Sequence, residues 1–337
     1  MTMTPLQNVQ HFRSNAIKTE RHRQGVKFLS FTRRYGTLVI FVLLVAAAAY
    51  ISTDFLTLRN VMNLLRQAST TIIMAIGMLF VVLTRGIDLS IGSVLAVGGV
   101  IAALLAPEWG LPASIAVALV AGLICGLACG TLIAYLRLPP FVITLAMMTV
   151  ARGSAFILTG GQPIMLNDAA SGLSAFAGGY IGPVPYPVLL MAAIVLLGTF
   201  VLMFTSFGRL VKAIGSNEEA VRLSGIRTQR YIVAVYVISG FMAALAGVLI
   251  TGRTGVGAPN VGVGFELQVI AAVVIGGASL MGGRGDALNT VLGALILAII
   301  GNIMNLSNVP GYTQQVIMGA VIVAAVILQK IQNQKMS

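Results

Sequence analysis

Ten apolar runs dominate the sequence, and short polar or glycine-rich stretches separate them. A run of roughly 15 to 25 apolar residues has the length with which an α-helix crosses the core of a bilayer, at about 1.5 Å per residue. The strands of a membrane barrel would instead alternate apolar and polar residues, and these runs do not. The sequence therefore predicts an all-α, polytopic transmembrane helical bundle of about ten spans. The predicted spans are approximately Thr37–Ile51, Val61–Thr84, Ile87–Leu105, Pro112–Leu136, Phe141–Thr159, Tyr186–Ser206, Tyr231–Thr251, Phe265–Met281, Ala287–Leu306 and Tyr312–Gln329.

The composition is that of an integral membrane protein. Of the 337 residues, 58% are hydrophobic and only 9% are charged, and the mean hydropathy is +0.97; soluble domains carry about 25% charged residues. Cys125 and Cys129 lie one helical turn apart inside an apolar run, with no histidine nearby. This spacing favours packing over metal binding. We therefore expect neither a metal site nor a cofactor.

The positions of the basic residues set the expected orientation. If the N-terminus is cytoplasmic and the spans alternate, all but four of the 21 lysines and arginines fall on the cytoplasmic side. Such an excess is the positive-inside signal, and it accounts for the net charge of +12 without nucleic acid as a partner. We expect a basic cytoplasmic tail at 1–35, a transmembrane domain at 36–329, and a short cytoplasmic tail at 330–337. The four exceptions are Arg59, Arg66, Arg152 and Arg253.

The longest well-formed polar segment within the apolar chain is Gly215–Ile226, which is predicted to form a short cytoplasmic helix. Ser216 is the predicted N-cap, in a capping box with Glu219, and Glu218 adds negative charge to the first turn. Gly225 suits the left-handed residue that ends such a helix. A helix this short is marginal alone. The segment is therefore either a solvated loop helix or a surface that a soluble partner binds.

Three glycines, Gly122, Gly126 and Gly130, recur every fourth residue along the fourth predicted span. This spacing places them on one face of a helix, where their lack of side chains lets another helix approach closely. We expect a packing surface, within the subunit or between two copies.

Asp88 interrupts an apolar stretch inside the segment Arg85–Ser93, where its carboxylate can cap the following helix. Two interpretations of this segment are open. It is either a cytoplasmic hairpin between two spans or a broken helix that lines a transport path.

A few polar side chains fall inside the predicted spans, among them Asn302, Asn305 and Arg152. Amides can bind the hydroxyl groups of a neutral polyhydroxylated solute, and they are equally suited to hydrogen bonding between helices. Asp88, Asn302 and Asn305 are therefore candidate path residues. An arginine at the bilayer centre costs about 2.5–3.5 kcal/mol, so we expect Arg152 to face the bundle interior or to lie near an interface.

Several catalytic patterns are missing from the sequence. No Gly-Lys pair occurs, so there is no P-loop that would bind ATP. The sequence also lacks His-Glu-x-x-His and Gly-x-Ser-x-Gly, which argues against a membrane hydrolase. No series of acidic, histidine or lysine side chains runs through the spans, which disfavours proton-coupled transport.

Four groups of residues resemble the permease subunits of bacterial ATP-binding-cassette sugar importers of the ribose, xylose, arabinose and galactoside type. The resemblance extends over nearly the whole chain after the tail and does not identify the sugar. The residues that carry it are Ala75–Met78, Gly86–Ser93, Arg209–Leu210 leading to Gly215–Ile226, and Glu266–Gly277 leading to Gly282–Gly285.

This resemblance implies a transport subunit, not an enzyme, in the bilayer of the bacterial inner membrane. Two permeases, identical or paralogous, would form the path. Two cytoplasmic ATPase subunits would dock below it, and a periplasmic sugar-binding protein would deliver the solute. The segment at 215–226 would match the coupling helix of the family. The residues expected to couple to the ATPase are Ser216, Asn217, Glu218, Glu219, Ala220, Leu223 and Gly225.

Other transport functions are open on the residues alone. A related permease would carry a signalling furanone, a nucleoside or a branched-chain amino acid. A secondary carrier would work without an ATPase and would show repeated discontinuous spans.

Overall fold

A computed structural model describes residues 36–334, so the predicted tail at 1–35 and residues 335–337 lie outside the described residues. The described chain is mainly helical, which confirms the prediction of an all-α bundle. Its helices are α1 (Gly36–Ile51), α2 (Leu58–Leu83), α3 (Ile91–Leu136), α4 (Pro140–Thr159), α5 (Ser171–Gly178), α6 (Tyr186–Phe204), α7 (Ser206–Ser216), α8 (Glu218–Leu223), α9 (Thr228–Thr254), α10 (Phe265–Ile275), α11 (Ala287–Leu306) and α12 (Gly311–Gln334).

Each of the ten predicted spans coincides with a helix or with part of one. Within residues 36–334, six helices are long and apolar enough to cross a membrane, namely α2, α3, α4, α6, α9 and α11. The apolar parts of α1, α10 and α12 are shorter. Two predicted spans join in the 46-residue α3, which bends at Gly110 because that residue has φ 73° and ψ 173°, outside the helical region.

The core of the bundle is formed by α2, α3 and α9, and its most extensive helix–helix contact is the one between α3 and α9. Their backbones are so close that a Cβ at Gly122 would overlap the carbonyl oxygen of Gly240, and a Cβ at Gly126 would overlap that of Tyr236. Gly130 lies against Val233 in the same way. The predicted glycine stripe therefore lies within the subunit, along α9.

The chain between α2 and α3, from Thr84 to Ser90, is not helical and leads back into the bundle. Arg85 still contacts the carboxyl end of α7, whereas Gly92, in the first turn of α3, already packs against Gly262. Gly262 precedes α10, whose 11 residues span only about half of a bilayer. The segment around Asp88 is thus a break within the membrane domain rather than a hairpin at its surface.

The end of the bundle opposite α8 is covered by the glycine-rich chain 160–185 and by the segment after α9. Strand β1 (Ile164–Met165) pairs antiparallel with β4 (Val256–Gly257). Strands β2 (Tyr180–Ile181) and β3 (Val184–Pro185) form a small hairpin, and α5 lies between β1 and β2 in sequence. Between residues 160 and 185 the chain thus consists of turns, short strands and short helices such as α5.

Candidate functional site

The polar segment expected to form one helix is divided by Asn217 into α7 and α8. Asn217 has an extended backbone and caps α8, since its Oδ1 accepts a hydrogen bond of 3.0 Å from the Ala220 amide. The prediction that Ser216 is the cap is wrong. Ser216 is the last residue of α7, and its Oγ donates to the Lys212 carbonyl instead. Asn217 has the more extended backbone of two adjacent residues that favour capping.

The acidic side chains of α8 have two different partners. Glu219 accepts a 2.7 Å hydrogen bond from Arg222 within the helix, so it does not complete the predicted capping box. Glu218 accepts a hydrogen bond of 2.9 Å from Thr228 Oγ1, which attaches α8 to the first turn of α9. Gly225 has φ 81° and ends the helix in the left-handed region, as predicted.

None of the six residues of α8 is buried, and the apolar side chain of Leu223 is 78% exposed. Ala220, three residues earlier, lies on the same face of the helix and is exposed as well. This apolar face of α8 is therefore accessible to a partner protein. All seven residues predicted to couple to an ATPase are exposed.

Behind α8, Arg85 joins three separate segments of the chain. Its Nε donates to the Gly215 carbonyl at 2.6 Å and to the Met281 carbonyl at 2.9 Å, and its Nη2 donates to the Ser216 carbonyl at 2.7 Å. In addition, the Gly283 amide donates to the Leu83 carbonyl. The end of α2, the end of α7 and the turn before α11 are therefore held together beside α8.

Small residues make this junction possible. A Cβ at Gly215 would overlap the Leu83 carbonyl oxygen, and one at Gly282 would overlap the Arg85 side chain. Gly282 and Gly283 also have φ values of 80° and 73°, which side chains other than glycine rarely adopt. A shift of α8 and α7 would thus act directly on the chain that leads to Asp88 and on the chain that leads to α11.

A cavity of about 550 Å³ separates α8 from the turn between α3 and α4. Charged residues of both signs line the cavity. Because the cavity lies behind α8, the helix is connected to the rest of the protein mainly through the chain at its two ends. The charged and polar lining residues include Arg85, Arg137, Glu218, Glu219, Arg222 and Tyr236.

Asp88 is only 2% exposed and accepts three hydrogen bonds. Its Oδ1 binds the amide and the hydroxyl of Ser90, and its Oδ2 binds the hydroxyl of Ser239 on α9 at 2.7 Å. The N-cap position of α3 belongs to Ser90, so the prediction that Asp88 is that cap is wrong. The carboxylate instead joins the broken segment to α9.

The two candidate asparagines lie near the end of α11 and have partners in the protein. Asn302 and Asn60 exchange two amide hydrogen bonds of 3.0 Å, which link α11 to α2. The Asn305 side chain accepts a hydrogen bond from Gln314 of α12. Asp88 is bonded elsewhere, so the three candidate path residues do not form one cluster.

Arg152 on α4 binds carbonyl groups of two other segments. Its Nη1 donates to the carbonyls of Pro259 and Val261 at 2.6 and 2.7 Å, and its Nη2 donates to that of Gly92 at 3.2 Å. The expectation that this charge faces the bundle agrees with the contacts. Sequence reasoning missed these partners, although Arg152 is the one charged residue in α4, which marked it as unusual.

A sequence model of the family described as "Branched-chain amino acid transport system / permease component" matches residues 60–326. The chain belongs to this permease family. The match begins within α2 and ends within α12, so α7 and α8, the junction that Arg85 forms beside them, and the non-helical segment at Asp88 all fall inside it.

Individual members of the permease family are similar over almost their whole length. The ribose import permease protein RbsC of Haemophilus influenzae is 39% identical over 304 residues, which are 89% of this chain and 93% of the relative. The protein of the same name from Bacillus subtilis is 38% identical, over 94% of this chain and 98% of its own. The xylose transport system permease protein XylH of Escherichia coli is 36% identical, over 92% and 95%. No solved structure matches the chain significantly.

Proposed function

We propose that this chain is the membrane-spanning subunit of an ATP-binding-cassette importer and forms the path for a monosaccharide such as ribose or a related pentose. The observation that carries the proposal is the 39% identity to a ribose import permease over 89% of the chain. The long apolar helices and the exposed helix α8 are the parts that such a subunit needs. The chain then works in the inner membrane of a bacterium.

The proposed ATPase contact is α8 with its flanking residues, from Ser216 to Gly225. Ala220 and Leu223 offer an apolar face for a cleft, and Glu218 and Glu219 give its rim negative charge. ATP hydrolysis takes place on partner subunits. A second copy of the chain or a paralogue completes the path, and a periplasmic sugar-binding protein delivers the solute.

The proposed mechanism is alternating access driven from the cytoplasm. Closure of the ATPase subunits moves α8, and the Arg85 junction passes this movement to α2 and to the turn before α11. Only binding energy that differs between the two states of the bundle can drive such a change. The sugar-binding protein supplies most of the affinity for the solute, so the permease itself holds the sugar only weakly.

The experiment that tests this function is uptake of radiolabelled ribose and xylose by the purified importer in proteoliposomes. Uptake should require ATP, the ATPase subunits and the binding protein. Leucine is included because the family description names branched-chain amino acids. Leucine uptake without sugar uptake, or sugar uptake without the ATPase, would contradict the proposal.

The docking role of α8 has its own test. Glu219→Arg reverses the charge of an exposed residue, and Gly225→Val forces a side chain into φ 81°. Both should lower sugar-stimulated ATP hydrolysis by roughly tenfold or more while the permease still inserts, as expected for a hot spot at an interface. Hydrolysis and uptake at native rates in both variants would rule out docking on α8.

Asp88, Asn302 and Asn305 remain the proposed path residues outside the coupling segment. Replacing each by alanine and measuring uptake at equal protein level tests the three separately. Unchanged uptake in all three variants would remove them from the path.

A further inference from the structure

Arg152, Glu266 and Gln268 place polar side chains well inside the bundle. Arg152 is the thirteenth of the 20 residues of α4, roughly 18 Å from its start and 10 Å from its end. Glu266 and Gln268 stand in the first turn of α10, the half-length helix that begins beside Gly92. These side chains are therefore far from both ends of the bundle.

Arg152 and Glu266 keep hydrogen-bonding capacity that the described chain does not use. Three of the five N–H groups of Arg152 bind carbonyls, which leaves two donors, on Nε and Nη2. Within residues 36–334, the Glu266 carboxylate makes no hydrogen bond or ion pair, although it interacts electrostatically with Arg152. Asp88 differs, since both its oxygens are bonded and it is 2% exposed.

The side chains beside these groups are exposed at the surface of the subunit. Arg152, Glu266 and Gln268 are each partly exposed, while Val263 and Leu267 are 70% and 56% exposed. An ionised carboxylate without a hydrogen-bond partner is costly against hydrocarbon. Charged groups at this depth are stable when they face water or a polar ligand.

We propose that Arg152 and Glu266 form a polar station on the water-filled path, where the hydroxyl groups of a neutral sugar bind transiently. Glu266 accepts hydrogen bonds from two hydroxyls, and the free N–H groups of Arg152 donate to hydroxyl or ring oxygens. The three carbonyls that bind Arg152 belong to the first turn of α3 and to the segment before α10, and they fix the position of its side chain. The proposal rests on the function proposed above, because it names where the solute is held.

The first test asks whether this face contacts water and does not depend on the solute. Leu267→Cys in the first turn of α10 and Leu196→Cys in the middle of α6 both replace exposed apolar residues, but every residue of α6 is uncharged. The purified importer in nanodiscs is treated with a membrane-impermeant, water-soluble thiol reagent, and the native chain gives the background from Cys125 and Cys129. Leu267→Cys should react before denaturation and Leu196→Cys should not. A Leu267→Cys that stays as unreactive as Leu196→Cys would mean that lipid or a second copy covers the face, and the proposal would fail.

The second test measures ribose uptake per ATP hydrolysed in proteoliposomes. Glu266→Gln should lower this ratio about tenfold, as expected from the loss of a charged acceptor, and Glu266→Asp should restore part of it. Glu108→Gln, at an exposed carboxylate beside the Gly110 bend, is the matched control and should behave like the native chain. Native ratios in Glu266→Gln at all sugar concentrations would overturn the proposal. If Glu266→Gln fails to insert, the labelling result decides.

The two proposals fail in different ways. Absence of ribose and xylose uptake by the native importer would count against the proposed function, whatever the labelling shows. Native sugar uptake that Glu266→Gln leaves unchanged would count only against the polar station.

Discussion

At the scale of single residues, Arg85 shows how one side chain can connect distant parts of the sequence. Its guanidinium binds carbonyls of Gly215, Ser216 and Met281, each more than 100 positions away. We expect Arg85→Ala to lower sugar uptake about five- to tenfold, since three charge-assisted hydrogen bonds are lost, while ATP hydrolysis continues. The fall in uptake per ATP distinguishes lost transmission from lost docking. Arg284→Ala serves as the control, because Arg284 is an exposed arginine of the same turn with no side-chain hydrogen bond among the described residues. Equal uptake in Arg85→Ala and Arg284→Ala would contradict a transmitting role.

At the scale of elements, the contact between α3 and α9 depends on the absence of side chains. A Cβ at Gly126 would overlap the Tyr236 carbonyl oxygen and lie 2.8 Å from the Cα of Val237. We expect Gly126→Ala to destabilise the bundle by about 1–3 kcal/mol, the usual cost of overpacking. Gly153→Ala on α4 is the matched control, since a Cβ there meets nothing within 4 Å, and alanine favours a helix over glycine. Thermal unfolding in detergent should give a lower midpoint for Gly126→Ala only. A midpoint no lower than that of Gly153→Ala would contradict the packing account.

At the same scale, some features of the helices could be predicted from the sequence and others could not. Apolar length predicted the positions of the helices, because a bilayer fixes how long a span must be, and the periodicity of the glycines predicted a packing face. The division of the polar segment 215–226 at Asn217 was not predictable, since Ser216 and Asn217 are both good caps and tertiary contacts select between them. The junction at Arg85 and the carbonyl contacts of Arg152 join residues far apart in sequence, and no local pattern reports such pairs. Asp88 was recognised as unusual, but its bond to Ser239 depends on how α9 packs.

At the scale of the whole molecule, the proposed coupling requires α8 to lie on the side of the membrane where ATP is available. The orientation predicted from the basic residues places it in the cytoplasm. Leu223→Cys tests this, because the side chain is 78% exposed and its replacement removes no buried contact. An impermeant thiol reagent should label this variant in inside-out vesicles and not in right-side-out vesicles, with the native chain as background. Added ATPase subunits should slow the labelling, since docking would cover the apolar face of α8. Labelling from the periplasmic side would mean that a cytoplasmic ATPase cannot reach the helix, and it would contradict the proposed coupling. Labelling from the cytoplasm that the ATPase does not slow would retain the orientation and place docking elsewhere.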